Sequence, residues 1–156
     1  MATTLKLSGY LTTEAAITFS GTQQLNSLTD NEYTDLSDEI DNTTNLYFEA
    51  DVRVVIASAA FITPADCGIE LFLIPTVDGT NYPTWTGNTT TDQVHNGPFF
   101  VGFVPFTGTT AAQAGVLIGV QLPAGKYKWA ARNRGNVALA GSGNTLYWRP
   151  TSLQSV

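Results

Sequence analysis

The chain is poor in charge, in histidine and cysteine, and in long apolar runs. Of its 156 residues only 13% are Asp, Glu, Lys or Arg, about half of the ~25% usual in globular chains. That scarcity excludes a highly charged disordered chain and a coiled coil, both of which depend on many charges. One histidine and one cysteine exclude a multi-His or multi-Cys metal centre and a disulfide within one chain. No stretch approaches the ~20 apolar residues of a membrane helix, and the best candidate, residues 52–62, is interrupted by Arg53. The N-terminus has one lysine but no unbroken apolar core of a secretory signal. The chain is therefore expected to be made and to fold in a cytosol, with no membrane partner. The two Asn-x-Thr sequons, at Asn42 and Asn88, read as chance matches in an Asn/Thr-rich chain.

What is present is apolar or neutral and polar. Hydrophobic residues make up 43% of the chain, and Thr, Gly and Asn fill most polar positions. A chain of this length suits one domain and can bury roughly 70% of its extended surface. The net charge of -6 is unevenly spread. All thirteen acids lie at or before Asp92, opposed there only by Lys6 and Arg53, a net -11. From Gln93 onward there are five bases and no acid, a net +5. Overall acidity argues against nucleic acid as the partner, since phosphate binding needs a clustered basic surface. The basic C-terminal part keeps that alternative open.

Period-two alternation dominates the chain. In residues 46–56 every even position is apolar, while Glu49, Asp51 and Arg53 occupy the odd face, the pattern of a half-buried antiparallel strand. Residues 69–77 form a second strand whose weaker alternation implies burial on both faces. Pro75 restricts it to an edge or to its own end. Further strands are expected at 99–106, 116–122, 126–132, 137–140 and 145–149, with turns at residues 123–125, 133–135 and 141–143. Residues 78–97 read as a long connection. Strands recurring roughly every 8 to 15 residues, with no helical period, predict an all-β sandwich or barrel. Residues 1–28 are the least defined: 13–18 fit a helical turn, a strand or an outward arm.

Several groups are candidates for chemistry. His95, three residues from Asp92, could act as a base, but no nucleophile motif accompanies it. The acidic run Asp30, Glu32, Asp35, Asp38, Glu39, Asp41 has the ligand type for Ca²⁺ but not the EF-hand spacing. It reads better as a solvated loop or a face for a basic partner. Adjacent acids such as Asp38 and Glu39 point apart, and nothing in the sequence fixes two carboxylates at the separation that glycoside hydrolysis requires. Tyr82 and Trp85, with Phe99 and Phe100 nearby, could line a sugar-binding face or belong to the core. Lys126, Lys128 and Arg132 share the outward side of one strand. With Arg134 and Arg149 they make a one-sign patch plausible. Cys67 reads as a bystander thiol. The chain is expected to be no enzyme and to need no cofactor or metal.

Three segments in order carry a resemblance. They are Leu36-Ser-Asp-Glu-Ile-Asp-Asn-Thr-Thr-Asn-Leu-Tyr47, then Ile69-Glu-Leu-Phe-Leu-Ile-Pro-Thr-Val-Asp-Gly-Thr-Asn-Tyr82, then Ala138-Leu-Ala-Gly-Ser-Gly-Asn-Thr-Leu-Tyr-Trp-Arg-Pro150. Together they resemble the jelly-roll capsid cement (decoration) proteins of tailed bacteriophages, over about residues 25–150. The resemblance implies an antiparallel β-sandwich of jelly-roll type over residues 25–156, with residues 1–24 as an N-terminal arm or extra strand. It implies a homotrimer on the outside of an icosahedral head, bound to the major capsid protein after synthesis in the bacterial cytoplasm. The interface residues expected on this reading are Asp35, Asp38, Glu39, Asp41, Lys126, Lys128, Arg132, Arg134 and Arg149. The alternative is a head-fibre or tail-associated module binding carbohydrate or a host surface through Tyr82 and Trp85.

Overall fold

A computed structural model describes residues 5–8, 13–57, 67–85, 87, 99–107 and 111–155, with the side chains of 5–8 and 152–155 left aside. The elements are β1 (Leu5–Ser8), β2 (Ala15–Ile17), β3 (Ile40–Asp41), β4 (Glu49–Ile56), β5 (Gly68–Pro75), β6 (Phe100–Pro105), β7 (Gln113–Gln121), β8 (Lys126–Asn133) and β9 (Thr145–Ser155). They form two antiparallel sheets. One has five strands in the order β1-β9-β4-β7, with β2 also on β9; the other has four, β3-β8-β5-β6.

β4 shows how the sequence builds this. Its burial alternates without a break, and Ala50, Val52, Val54 and Ile56 are fully buried. Burying each of the three larger side chains contributes about 1.5–3 kcal/mol. The inward row continues across the sheet because Val52 pairs with Trp148 and Val54 with Leu146. From the opposite sheet Ile69, Leu71 and Leu73 of β5 and Tyr127, Trp129 and Ala131 of β8 meet it, so the main core is the space between the two sheets. Ile17 of β2 and Phe19 belong to the same core, and β2 pairs with residues 146–148 of β9.

β5 is buried on both faces, as its weak alternation implies. Phe72 and Ile74 point away from the main core into a second cluster with Tyr33 and Ala130. Leu36, Tyr82, Trp85 and Phe99 pack against that cluster. The four-stranded sheet therefore carries a third layer, made of loop segments rather than of another sheet.

Several expectations change: β4 starts at Glu49 rather than at residue 46, where Leu46 takes a positive φ, and β9 runs on to Ser155 instead of ending at residue 149. Residues 137–140 form no strand; instead Leu139 donates its N–H to Leu28 O and Ala140 O accepts from Ser27 N, clipping this stretch to another loop. Positive φ at Asn136 and Gly143 bends the chain at both ends and keeps it out of a ladder. β7 also begins three residues earlier than the alternation suggests. It holds a bulge, in which Ile118 and Gly119 together oppose Asp51. Gly119 takes φ +69° there, a conformation costly for any side chain, and its N–H reaches Asp51 Oδ1 at 3.1 Å.

Candidate interaction surface

The acidic segment and the basic strand meet within one chain. Residues 31–41 run antiparallel along the free edge of β8 as a strap. Asn31 N donates to Asn133 O, Thr34 N to Ala131 O and Ser37 N to Trp129 O, and Ile40 of β3 pairs with Tyr127. The strap uses three residues for every two of β8. Side chains complete the ladder where its carbonyls do not reach. Thr34 Oγ1 accepts from Ala131 N (3.0 Å) and Ser37 Oγ from Trp129 N (2.8 Å). Both hydroxyls are buried. They stand in for backbone carbonyls, satisfying N–H groups that would otherwise be orphaned in the interior.

Charge pairs follow from that register. Lys126 Nζ lies 2.8 Å from Glu39 Oε1. This contact, with a hydrogen bond from Tyr82 (OH to Oε2, 2.9 Å), holds the Glu39 carboxyl below its usual range. Lys128 sits over the Tyr82 ring at 4.9 Å, and Arg132 over the Tyr33 ring at 4.9 Å. Arg132 and Arg134 both approach Glu70, at 3.4 and 3.8 Å. Burial, and then the bond to Glu39, push the Tyr82 hydroxyl up. The other acids are tied by hydrogen bonds. Asp35 Oδ2 accepts from Gln23 N, Asp38 Oδ1 from Ser20 Oγ, and Asp41 Oδ1 from both the N–H and hydroxyl of Thr43, which lowers the Asp41 pKa. Asp35 is wedged between Gly21 and Gly87, where a side chain on either glycine would collide with its carboxylate.

Eight of the nine expected interface residues thus gather on the strapped face of the four-stranded sheet. Arg149 does not. It lies on β9 directly opposite Asp51 of β4, on the outer face of the other sheet. There Arg53 is ion-paired with Glu14 and stacks over Tyr147 at 4.5 Å.

Of the two aromatics read as a sugar platform, Trp85 is packed inward. Its indole N–H donates to Thr34 O at 2.9 Å, and its ring meets Tyr33 edge-on and Phe72 at a tilt. Tyr82 is half-buried, with its hydroxyl and one ring face engaged as above. Asn42 of the first sequon is fully buried; its amide donates to Tyr47 O and Pro123 O while Tyr47 N donates back to Oδ1. A glycan on that nitrogen is incompatible with the fold. His95, Asp92 and Asn88 lie outside the described residues. Among the described residues no three of His, Cys, Asp and Glu gather to hold a metal ion, and no helix is long and apolar enough to cross a membrane.

The sequence reading did not single out several exposed apolar side chains. Leu46, Phe48, Phe100, Val116 and Ile118 are all open to solvent, Ile118 at 77%. A groove of about 370 Å³ is lined by Leu73, Pro75, Phe99, Val101, Leu122 and Pro123. The available signal was the complete lack of charge from Gln113 to Gln121. No family model, curated protein or solved structure matches the chain.

Proposed function

We propose that the chain is a structural protein of a tailed-phage virion: an outer capsid cement protein of jelly-roll type, working as a homotrimer bound to the major capsid protein. The observation that supports this most is how the three resembling segments are used. Residues 36–47 supply the end of the strap and β3, and residues 69–82 supply β5 and the loop after it. The two close on each other through Tyr82 and Glu39. Residues 138–150 lead into and form most of β9, the longest strand of the other sheet. The resemblance therefore falls on the framework of both sheets rather than on one hairpin.

The surface chemistry agrees with that role. A shell protein needs broad, repeated contact, and trimer avidity multiplies modest contacts without one strong site. Exposed apolar side chains on a lightly charged surface are the kind of area that neighbouring subunits cover. On this reading the chain is no enzyme and requires no cofactor, nucleic acid or membrane. The alternative, a head-fibre or tail-associated carbohydrate-binding module, is less well supported because Trp85 has its N–H and ring committed to internal contacts.

The test is to mix the purified protein with heads of the phage that encodes it and pellet them at low and high ionic strength. We expect co-sedimentation in a fixed ratio to the major capsid subunit. The cations of β8 are already engaged internally, so the salt dependence should be shallow. Protein left entirely in the supernatant would contradict the reading.

A further inference from the structure

β7 closes the five-stranded sheet on one side: β4 pairs along one of its edges, and among the described residues no strand pairs along the other. Natural sheets guard such edges with lysines, prolines or shortness. β7 has nine residues with neither charge nor proline, and its outward side chains Val116 and Ile118 are 53% and 77% exposed. About Leu117 its order of residue types reads alike in both directions: Val116 matches Ile118 and Gly115 matches Gly119. The match ends there, because the bulge turns Val120 inward while Ala114 stays on the outer face. A two-fold contact needs a patch complementary to itself, and an antiparallel pair of strands is the sheet geometry that supplies it.

We infer that β7 pairs antiparallel with β7 of a second copy of this chain, across a two-fold axis at Leu117, joining two five-stranded sheets edge to edge. Val116 of each copy then faces Ile118 of the other, covering both. Gly115 faces Gly119, and neither carries a side chain to obstruct the extra residue of the bulge. The charges agree. Arg53 lies beside Val116 in the β4–β7 ladder, and Asp51 lies beside the bulge at Ile118 and Gly119. The row through Val116 and Ile118 of the second copy therefore begins at Arg53 and ends at Asp51 of the second copy. The symmetric row repeats this, so like charges do not oppose each other across the seam. This inference does not rest on the capsid reading, and a trimer built through another face is compatible with it.

Light scattering on the full-length chain and on the Val116→Lys/Ile118→Lys variant tests the seam. We expect the parent mass to be an even multiple of 16.7 kDa, and the variant, with unchanged circular dichroism, to have half of it. An odd multiple for the parent, or the same mass for both, overturns the proposal. A trimer without this seam gives three copies in both samples, so the two proposals fail separately. Register is tested without charge insertion by mixing Val116→Cys protein with Ile118→Cys protein under mild oxidation, the native Cys67 being buried. Cross-linked dimer forming in the mixture well above either variant alone supports it. Equal cross-linking by one variant alone contradicts the axis at Leu117.

Discussion

Individual side chains show how the acidic front half and the basic back half meet within one chain. Glu39 has a depressed pKa because Lys126 and Tyr82 hold its charged form. Its contribution to stability is therefore complete above its unfolded value near 4.5 and is lost as pH falls through the lower folded value. A Glu39→Gln variant should lose less stability than the parent on going from pH 5 to pH 3, as chemical denaturation at each pH would register. Its ion pair with Lys126 is part-exposed, so a double-mutant cycle should return a coupling far below that of a buried pair. Tyr127 makes the opposite case. It is fully buried, burial pushes its hydroxyl up, and among the described residues that hydroxyl has no hydrogen-bond partner. Tyr127→Phe removes an orphaned polar group while keeping the ring. Thermal melting should show it as stable as the parent or more so, by up to about 1–2 kcal/mol. A loss of stability would mean that the hydroxyl is satisfied.

At the level of elements, regular strands were legible from the chain and the strap was not. β4 could be read because period two is what a half-buried strand requires. The double burial of β5 showed as apolar residues on both parities. The strap follows neither rule: its anchor points Asn31, Thr34, Ser37 and Ile40 recur every third residue, and two of them act through hydroxyls. No strand-like alternation marks such a segment, since hydrogen bonds to the edge of β8 set its spacing while Tyr33 and Leu36 pack on the second cluster three residues apart. Residues 137–140 failed in the other direction, being apolar enough for a strand but bent at both ends. The strap predicts its own sensitivity. Thr34→Val keeps the shape but leaves Ala131 N–H without its acceptor, and should cost about 1–3 kcal/mol. In hydrogen exchange, the amides of Ala131 and Trp129 should lose protection in Thr34→Val and Ser37→Ala respectively, while those of β4 should not.

For the whole molecule, folding pairs part of the charge asymmetry within one chain: Lys126 meets Glu39, and Arg132 and Arg134 meet Glu70. The other acids of residues 30–41 are held by hydrogen bonds to neutral groups and keep their charge. The net -6 remains, and the surface also carries exposed apolar side chains, among them Val116 and Ile118 on the charge-free β7. For assembly, these favour edge pairing and apolar contact. The sequence hinted at them only through the charge-free run of β7, because exposure is a property of the packed sheets and not of any single strand. The most direct test of the proposed function is to find a tailed phage whose genome carries this gene and to reconstruct its virion. The account predicts β-sandwich density of this size on the outer surface of the head, in trimers contacting the major capsid protein. Heads bare of it, with the chain at the tail or missing from the particle, would contradict the account.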